Sequence, residues 1–106
     1  MLILPDVDYT APGAVAERTR IGYLRWLGSY GPGGEAERPV QCRADHYLLP
    51  DGSAEVERCQ PHRDALGRWV HGDFTVRFAP GTWRIVCPAA GGFGSAGGWF
   101  VEEAAR

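Results

Sequence analysis

The chain has 106 residues, 44% of them hydrophobic and 23% charged, with 15 glycines, 8 prolines and a formal net charge of −2. That length suits one domain (1–106) and is too short for two separate cores. The slightly acidic balance lacks the basic field that drives most nucleic-acid binding, and no apolar run is long enough for a membrane-spanning helix.

Glycine and proline at this frequency favour many turns over long helices, so composition points to an all-β domain. All eleven basic residues are arginine, a residue suited to bidentate carboxylate contacts, although a GC-rich genome explains a lysine-free chain equally simply. Residues 1–4 are followed at once by Pro5, Asp6 and Asp8. This lacks the charged and apolar regions of a signal peptide, so a cytoplasmic or particle-borne protein is expected. Three cysteines leave one odd, which argues against a secreted disulfide framework.

In chain order, residues 2–4 read as a short apolar strand ended by Pro5. From Val15, the odd positions Val15, Thr19, Ile21 and Tyr23 alternate with Arg18, Arg20 and Gly22, the pattern of a half-buried strand. A helix over 14–27 would instead gather Ile21, Leu24 and Leu27, at the expense of Gly22 and Gly28. Residues 28–39 form a long glycine-rich connection suited to an edge or a partner.

Residues 40–59 read as a β-hairpin turning on Pro50-Asp51-Gly52-Ser53, since Asp-Gly between apolar runs is a strong hairpin signal. If Pro50 pairs with Ser53, His46 faces Glu57 and Ala44 faces Cys59, with Cys42, His46 and Cys59 on one face. A Cys42–Cys59 disulfide would need a shifted register, because diagonal neighbours lie roughly 7 Å apart. Residues 60–68 look polar and turn-rich, and Gly72 is expected to bend or bulge a strand beginning at Trp69. Phe74, Val76 and Phe78 alternate with polar residues as a strand with one apolar face. A turn at 79–81 leads into a second strand carrying Trp83, Ile85 and Cys87. Residues 88–98 read as a second long glycine-rich loop, and Trp99, Phe100 and Val101 as a last short strand. About seven short, mainly antiparallel strands imply a small sandwich or barrel.

Phe78-Ala79-Pro80-Gly81-Thr82-Trp83-Arg84-Ile85 resembles the corner of immunoglobulin-like and prealbumin-like β-sandwiches, in which an aromatic anchors a strand entering the core. The resemblance covers about ten residues and implies architecture rather than activity. Its usual aromatic is tyrosine; Trp83 could make the anchoring bond only through its indole N–H.

Cys42, His46, Cys59 and His62 together offer a zinc-type ligand set. Cys-x3-His on an extended strand separates its donors by about 13 Å, however, and would need a bulge to close on one ion. Cys42, Cys59 and His62 also resemble the ligand spacing of Rieske-type ferredoxins, with Ala44 where that family has its first histidine, which would leave one iron incompletely ligated. The plainer alternative makes the two cysteines small apolar core residues and the histidines surface groups.

Residues 92–97 fit G-x-G-x-x-G, but too little chain follows for the phosphate-binding helix and the next strand. Ser29, Ser53 and Ser95 lie in expected turns without a nucleophile elbow, and a triad using His62 or His71 with Asp64 or Asp73 depends on geometry alone. Among the tryptophans, Trp83 and Trp99 read as core. Trp26, extended by Tyr30, reads as an exposed interface anchor together with Gly94 and Ser95 of the second loop.

The resulting expectation is a non-enzymatic, cofactor-free interaction subunit with protein partners, a homo-oligomer or a larger assembly, such as a connector, decoration or tail accessory protein of a phage or phage-like particle. Neither nucleic acid nor membrane is an expected partner. The alternative is a small zinc protein using Cys42, His46, Cys59 and His62; a small hydrolase or ligand-binding domain is the third.

Overall fold

The computed structural model describes residues 2–28, 39–87 and 94–104. Seven strands build it: β1 (Thr19–Gly28), β2 (Val40–Leu48), β3 (Ala54–Arg63), β4 (Trp69–Phe78), β5 (Trp83–Val86), β6 (Ser95–Gly98) and β7 (Phe100–Glu103). A five-stranded sheet runs in the order β4-β3-β2-β1-β6, and β5 pairs with β7 in a second, two-stranded sheet. Every pairing is antiparallel, and the described residues contain no helix. The fold class is thus the all-β one expected.

The N-terminal apolar run is not a strand. Residues 2–4 form no ladder; Leu4 donates its N–H to the Tyr9 hydroxyl, and Leu2 is exposed. Pro5 cuts the run short, and the Leu4 carbonyl accepts the Val7 N–H in a turn at 3.4 Å instead of joining a ladder. Residues 9–15 instead close over the first hairpin turn, where Gly13 N–H donates to the Pro50 carbonyl at 2.7 Å and Tyr9 and Val15 enter the core.

The segment left open between strand and helix is a strand, beginning at Thr19 rather than Val15. Its alternation changes phase, because Arg20 pairs with Tyr47 whereas Gly22 pairs with His46, leaving Ile21 as a bulge residue. Before the bulge odd residues point inward; beyond it Leu24 and Trp26 do, facing Ala44 and Cys42. The Ile21 carbonyl accepts the Trp99 N–H at 2.8 Å, at the place where β6 ends and β7 leaves for the second sheet. Gly98 makes this switch with φ +74°, and a Cβ on it would collide with the Ile21 carbonyl oxygen. Residues 95–98, expected as loop, are therefore strand β6, hydrogen-bonded to β1.

The β2–β3 hairpin is present with a register one residue away from the expected one. Leu48 pairs with Ala54, His46 with Val56 and Ala44 with Arg58. Gly52 N–H donates to the Leu49 carbonyl, Leu49 N–H donates to the Ser53 carbonyl, and Gly52 has φ +88°. This is a three-residue loop, Pro50-Asp51-Gly52, built as a type I turn followed by a left-handed glycine, instead of a two-residue turn on Asp51-Gly52. The next hairpin uses the same loop, with Gly67 in Gly52's place.

Residues 60–63 are strand, not turn, and the β3–β4 ladder runs without a register shift from Ala54↔Phe78 to Arg63↔Trp69, straight through Gly72. Phe74, Val76 and Phe78 are half-buried and the residues between them exposed, as expected.

Leu48, Ala54, Val56, Ala44 and Ile21 pack under Trp83 and Val101 of the second sheet. Trp83 is 3% exposed, and its indole N–H donates to the Gly52 carbonyl at 3.0 Å, tying the start of β5 to the first hairpin. Trp99 packs half-buried against the same core. On the opposite face of the large sheet, Arg18 bridges Glu55 and Glu57, Arg20 and Arg25 converge on the buried Asp45, and Arg43 and Arg77 reach Asp73 and Asp51. One face is core and the other is a lattice of arginines and carboxylates.

Candidate functional site

The one-residue register difference disperses the cysteine–histidine set, because a single slip moves a strand's side chains to the other face. Cys42 and His46 point into the core face, each 4% exposed, whereas Cys59 pairs with Arg43 and lies on the charged face. His62 returns to the core face, tilted against Phe74 with ring centroids 4.3 Å apart, and its Nδ1 lies 2.8 Å from the Gln60 carbonyl. Cys42 and Cys59 thus sit on opposite sides of the sheet and cannot form the disulfide considered above; all three cysteines are free.

Cys59 meets His71 instead, with Sγ 3.8 Å from Nε2, and sits opposite Asp73 in the ladder. Desolvation and the neighbouring Asp73 push the Cys59 thiol pKa up, which keeps it protonated and poorly nucleophilic at neutral pH. Among the described residues, no three His, Cys, Asp or Glu side chains are grouped to hold a metal ion.

His46 is a fixed, neutral group. Its Nδ1 accepts the backbone N–H of Val101 at 3.0 Å, so the ring proton is on Nε2, and its ring stacks on Phe100 at 4.6 Å and 3°. Burial, then the nearby Arg58 charge, lowers its pKa to about 4.

The β2–β3 ladder ends at Arg43↔Cys59, while β1–β2 continues to Gly28↔Val40 and β3–β4 to Arg63↔Trp69. Pro61 explains the parting. It pairs with His71 inside an unbroken ladder, so its N–H-less nitrogen faces β2, where it can donate nothing. Beyond Cys59, therefore, the β3–β4 hairpin is a two-stranded arm. Its tip carries Leu66, 77% exposed, and Trp69, 38% exposed, with the Arg63 guanidinium 4.5 Å from the Trp69 ring centre. The first strand and tip of the arm belong to residues 60–68, read from sequence as turn-rich, and its second to the strand expected to begin at Trp69; the signal that could have revealed the first is proline inside a strand-length run.

The ends of β1, β2 and β6 enclose a cleft of about 640 Å³ whose lining includes Trp26, Leu27, Cys42, Gly94 and Ser95. Three of the expected interface residues, Trp26, Gly94 and Ser95, thus share one cleft. Trp26 is half-buried, packed in part against the core, and the exposed neighbour is Leu27. Tyr30 lies outside the described residues. Comparison of the chain with protein-family models, curated proteins and solved structures finds no match.

Proposed function

We propose that the protein is a non-enzymatic interaction subunit that assembles with further copies of itself, the β3–β4 arm of one copy seating Leu66 and Trp69 in the Trp26 cleft of the next. The arm carries this reading. A lone two-stranded ribbon is marginally stable in water, and here it presents two large apolar side chains at its tip. The same chain offers an apolar cleft at a different place, on the β1–β6 side. A knob and a hole on separate surfaces make a head-to-tail contact, which closes into a ring or continues as a filament. A connector, decoration or tail accessory subunit of a phage or phage-like particle is the kind of assembly such a contact suits.

Native mass spectrometry with size-exclusion light scattering tests it. The wild type is expected to be oligomeric. The double variant Leu66→Ser, Trp69→Ser should be monomeric and should melt independently of protein concentration, at the temperature where the wild type melts once diluted out of its oligomer, because neither side chain is in the core. A wild type that stays monomeric at high concentration refutes the reading.

A further inference from the structure

We propose that β4 is a self-pairing edge: two copies of the chain join their β4 strands antiparallel about a two-fold axis at Thr75, making one continuous sheet. β4 ends the five-stranded sheet and is ten residues long, whereas β5, β6 and β7, which end the sheets elsewhere, have four each. The devices that usually blunt a long edge are missing from it. It has no proline or lysine, its ladder with β3 has no register shift, and its core-side residues, Val70, Gly72, Phe74, Val76 and Phe78, carry no charge. Asp64 N–H donates to the Arg68 carbonyl at 2.9 Å, so even-numbered residues of β4 bond to β3 and odd-numbered ones turn their N–H and C=O outward. Asp73, Thr75 and Arg77 thus offer outward backbone groups with no partner among the described residues. Residues 29–38, between Gly28 and Pro39, span at most about 40 Å, short of the roughly 50 Å that a path round the outer side of Thr75 and back requires. Residues 88–93 span at most about 25 Å, which a one-way path from Gly94 on the β6 edge already takes up, and 105–106 are too few to form a ladder.

A second copy is the occupant because the strand is complementary to itself. With the axis at Thr75, the two threonines face each other and Asp73 faces Arg77 of the second copy, twice over; these side chains are 75% and 58% exposed. Moving the axis to Asp73 or Arg77 sets like charges opposite, and moving it to Phe74 or Val76 leaves Asp73 opposite Thr75 or Ala79. On the core side the same register sets Phe74 beside Val76 of the second copy, an aromatic and β-branched pair. Both residues are half-buried yet take no part in the core under the second sheet. The three outward residues of each strand exchange about six backbone bonds. Exposed ion pairs add little energy, so the charges here fix the register. The pairing stops short of Leu66 at the arm tip, coexists with the arm contact, and gives a head-to-tail ring two-fold axes.

A single pairing of this kind buries little apolar surface and is a weak contact on its own, so it is read by covalent trapping rather than by mass. The full chain carries Cys59→Ser and Cys87→Ser to remove competing thiols, and Leu66→Ser and Trp69→Ser so that the arm contact plays no part. Into it are placed Asp73→Cys, Thr75→Cys or Arg77→Cys, one at a time, and each protein is oxidised with diamide. Across the axis the Cα atoms of the two residues 75 lie about 5.5 Å apart, inside disulfide reach, whereas the two residues 73 lie about 14 Å apart. Thr75→Cys should form disulfide-linked dimer at least tenfold faster than Asp73→Cys or Arg77→Cys. Mixing the latter two proteins should give the mixed dimer at least tenfold faster than either dimerises alone. Trapping at 73 or 77 as fast as at 75, or a mixed dimer no faster than its parents, would overturn the proposal. Failure of the arm-in-cleft reading would leave these rates unchanged.

Discussion

His46 makes stability depend on pH in a window where few other groups act. In the unfolded chain its imidazole takes a proton near pH 6.5, and in the fold only near pH 4. Between those values the unfolded state binds more protons than the native one, so stability falls as pH falls, by up to about 1.4 kcal/mol per pH unit. Between pH 7 and pH 5 the loss sums to about 2 kcal/mol, and above pH 7 the contribution is constant. The structural cause is specific: protonating Nδ1 breaks its bond from the Val101 N–H, one of the ties between the two sheets. Asp8, Asp51, Asp64 and Asp73 have pKa values lowered from 3.8 by their hydrogen bonds, so their stabilisation is present above 3.8 and is lost only in more acid solution. Urea unfolding followed by tryptophan fluorescence at pH 7, 6, 5.5 and 5, at one protein concentration, measures the slope. His46→Asn places an amide oxygen where Nδ1 accepts and has no proton to gain. Its stability should be lower at pH 7 yet flatter with pH. A wild-type curve flat between pH 7 and 5, or an Asn variant with the same slope, refutes the reasoning.

Gly52→Ala and Gly67→Ala make a matched pair, because both glycines have positive φ but only Gly52 has a neighbour, the Thr10 carbonyl, where a Cβ would go. Gly67→Ala should cost about 1 kcal/mol for conformation alone, and Gly52→Ala clearly more; equal melting temperatures would remove the steric argument. Trp83→Phe keeps an aromatic ring but leaves the Gly52 carbonyl without its indole donor, and should destabilise by about 1–3 kcal/mol in thermal unfolding. In a thiol titration of the native protein, exposed Cys87 should react first and buried Cys42 last; modification of Cys42 as fast as that of Cys87 would contradict its burial at the floor of the Trp26 cleft.

The strands were legible wherever alternation was undisturbed, as in Phe74, Val76 and Phe78. What escaped depended on single residues with two readings. Asp51-Gly52 serves a two-residue hairpin turn and a three-residue loop equally well, and the deciding residue is Pro50. Its fixed φ suits the second position of a type I turn, which puts Pro50 inside the loop and moves every pairing by one. That shift alone sends Cys59 to the charged face, so four residues of two types that the sequence groups together are dispersed while the hairpin that carries them stands. Ile21 hides a bulge in a similar way, since alternation on either side of it is regular but out of phase. The glycines of 92–98 look like a flexible loop by composition. In the structure Gly97 lies under the Tyr23 ring and Gly98 against the β1 backbone, so their lack of side chains lets one strand approach another. Deleting 91–98, which the loop reading makes harmless to folding, removes β6 and should unfold the protein.

Arginine in place of lysine carries more structural content than composition suggested. Arg18 reaches Glu55 through Nε and Glu57 through a terminal nitrogen, with its guanidinium 3.6 Å above the Tyr47 ring centre. A lysine has one donor centre and no planar face, so it could not make these contacts together. Each exposed pair is worth little alone, but the lattice fixes which carboxylates are already engaged: Glu55, Glu57, Asp45, Asp51 and Asp73 are all held on the outer face. The positive charge on the inner face and the parting of the ribbons beside it share a physical origin. β3 carries Arg58 inward, and three residues later Pro61 denies β2 a partner.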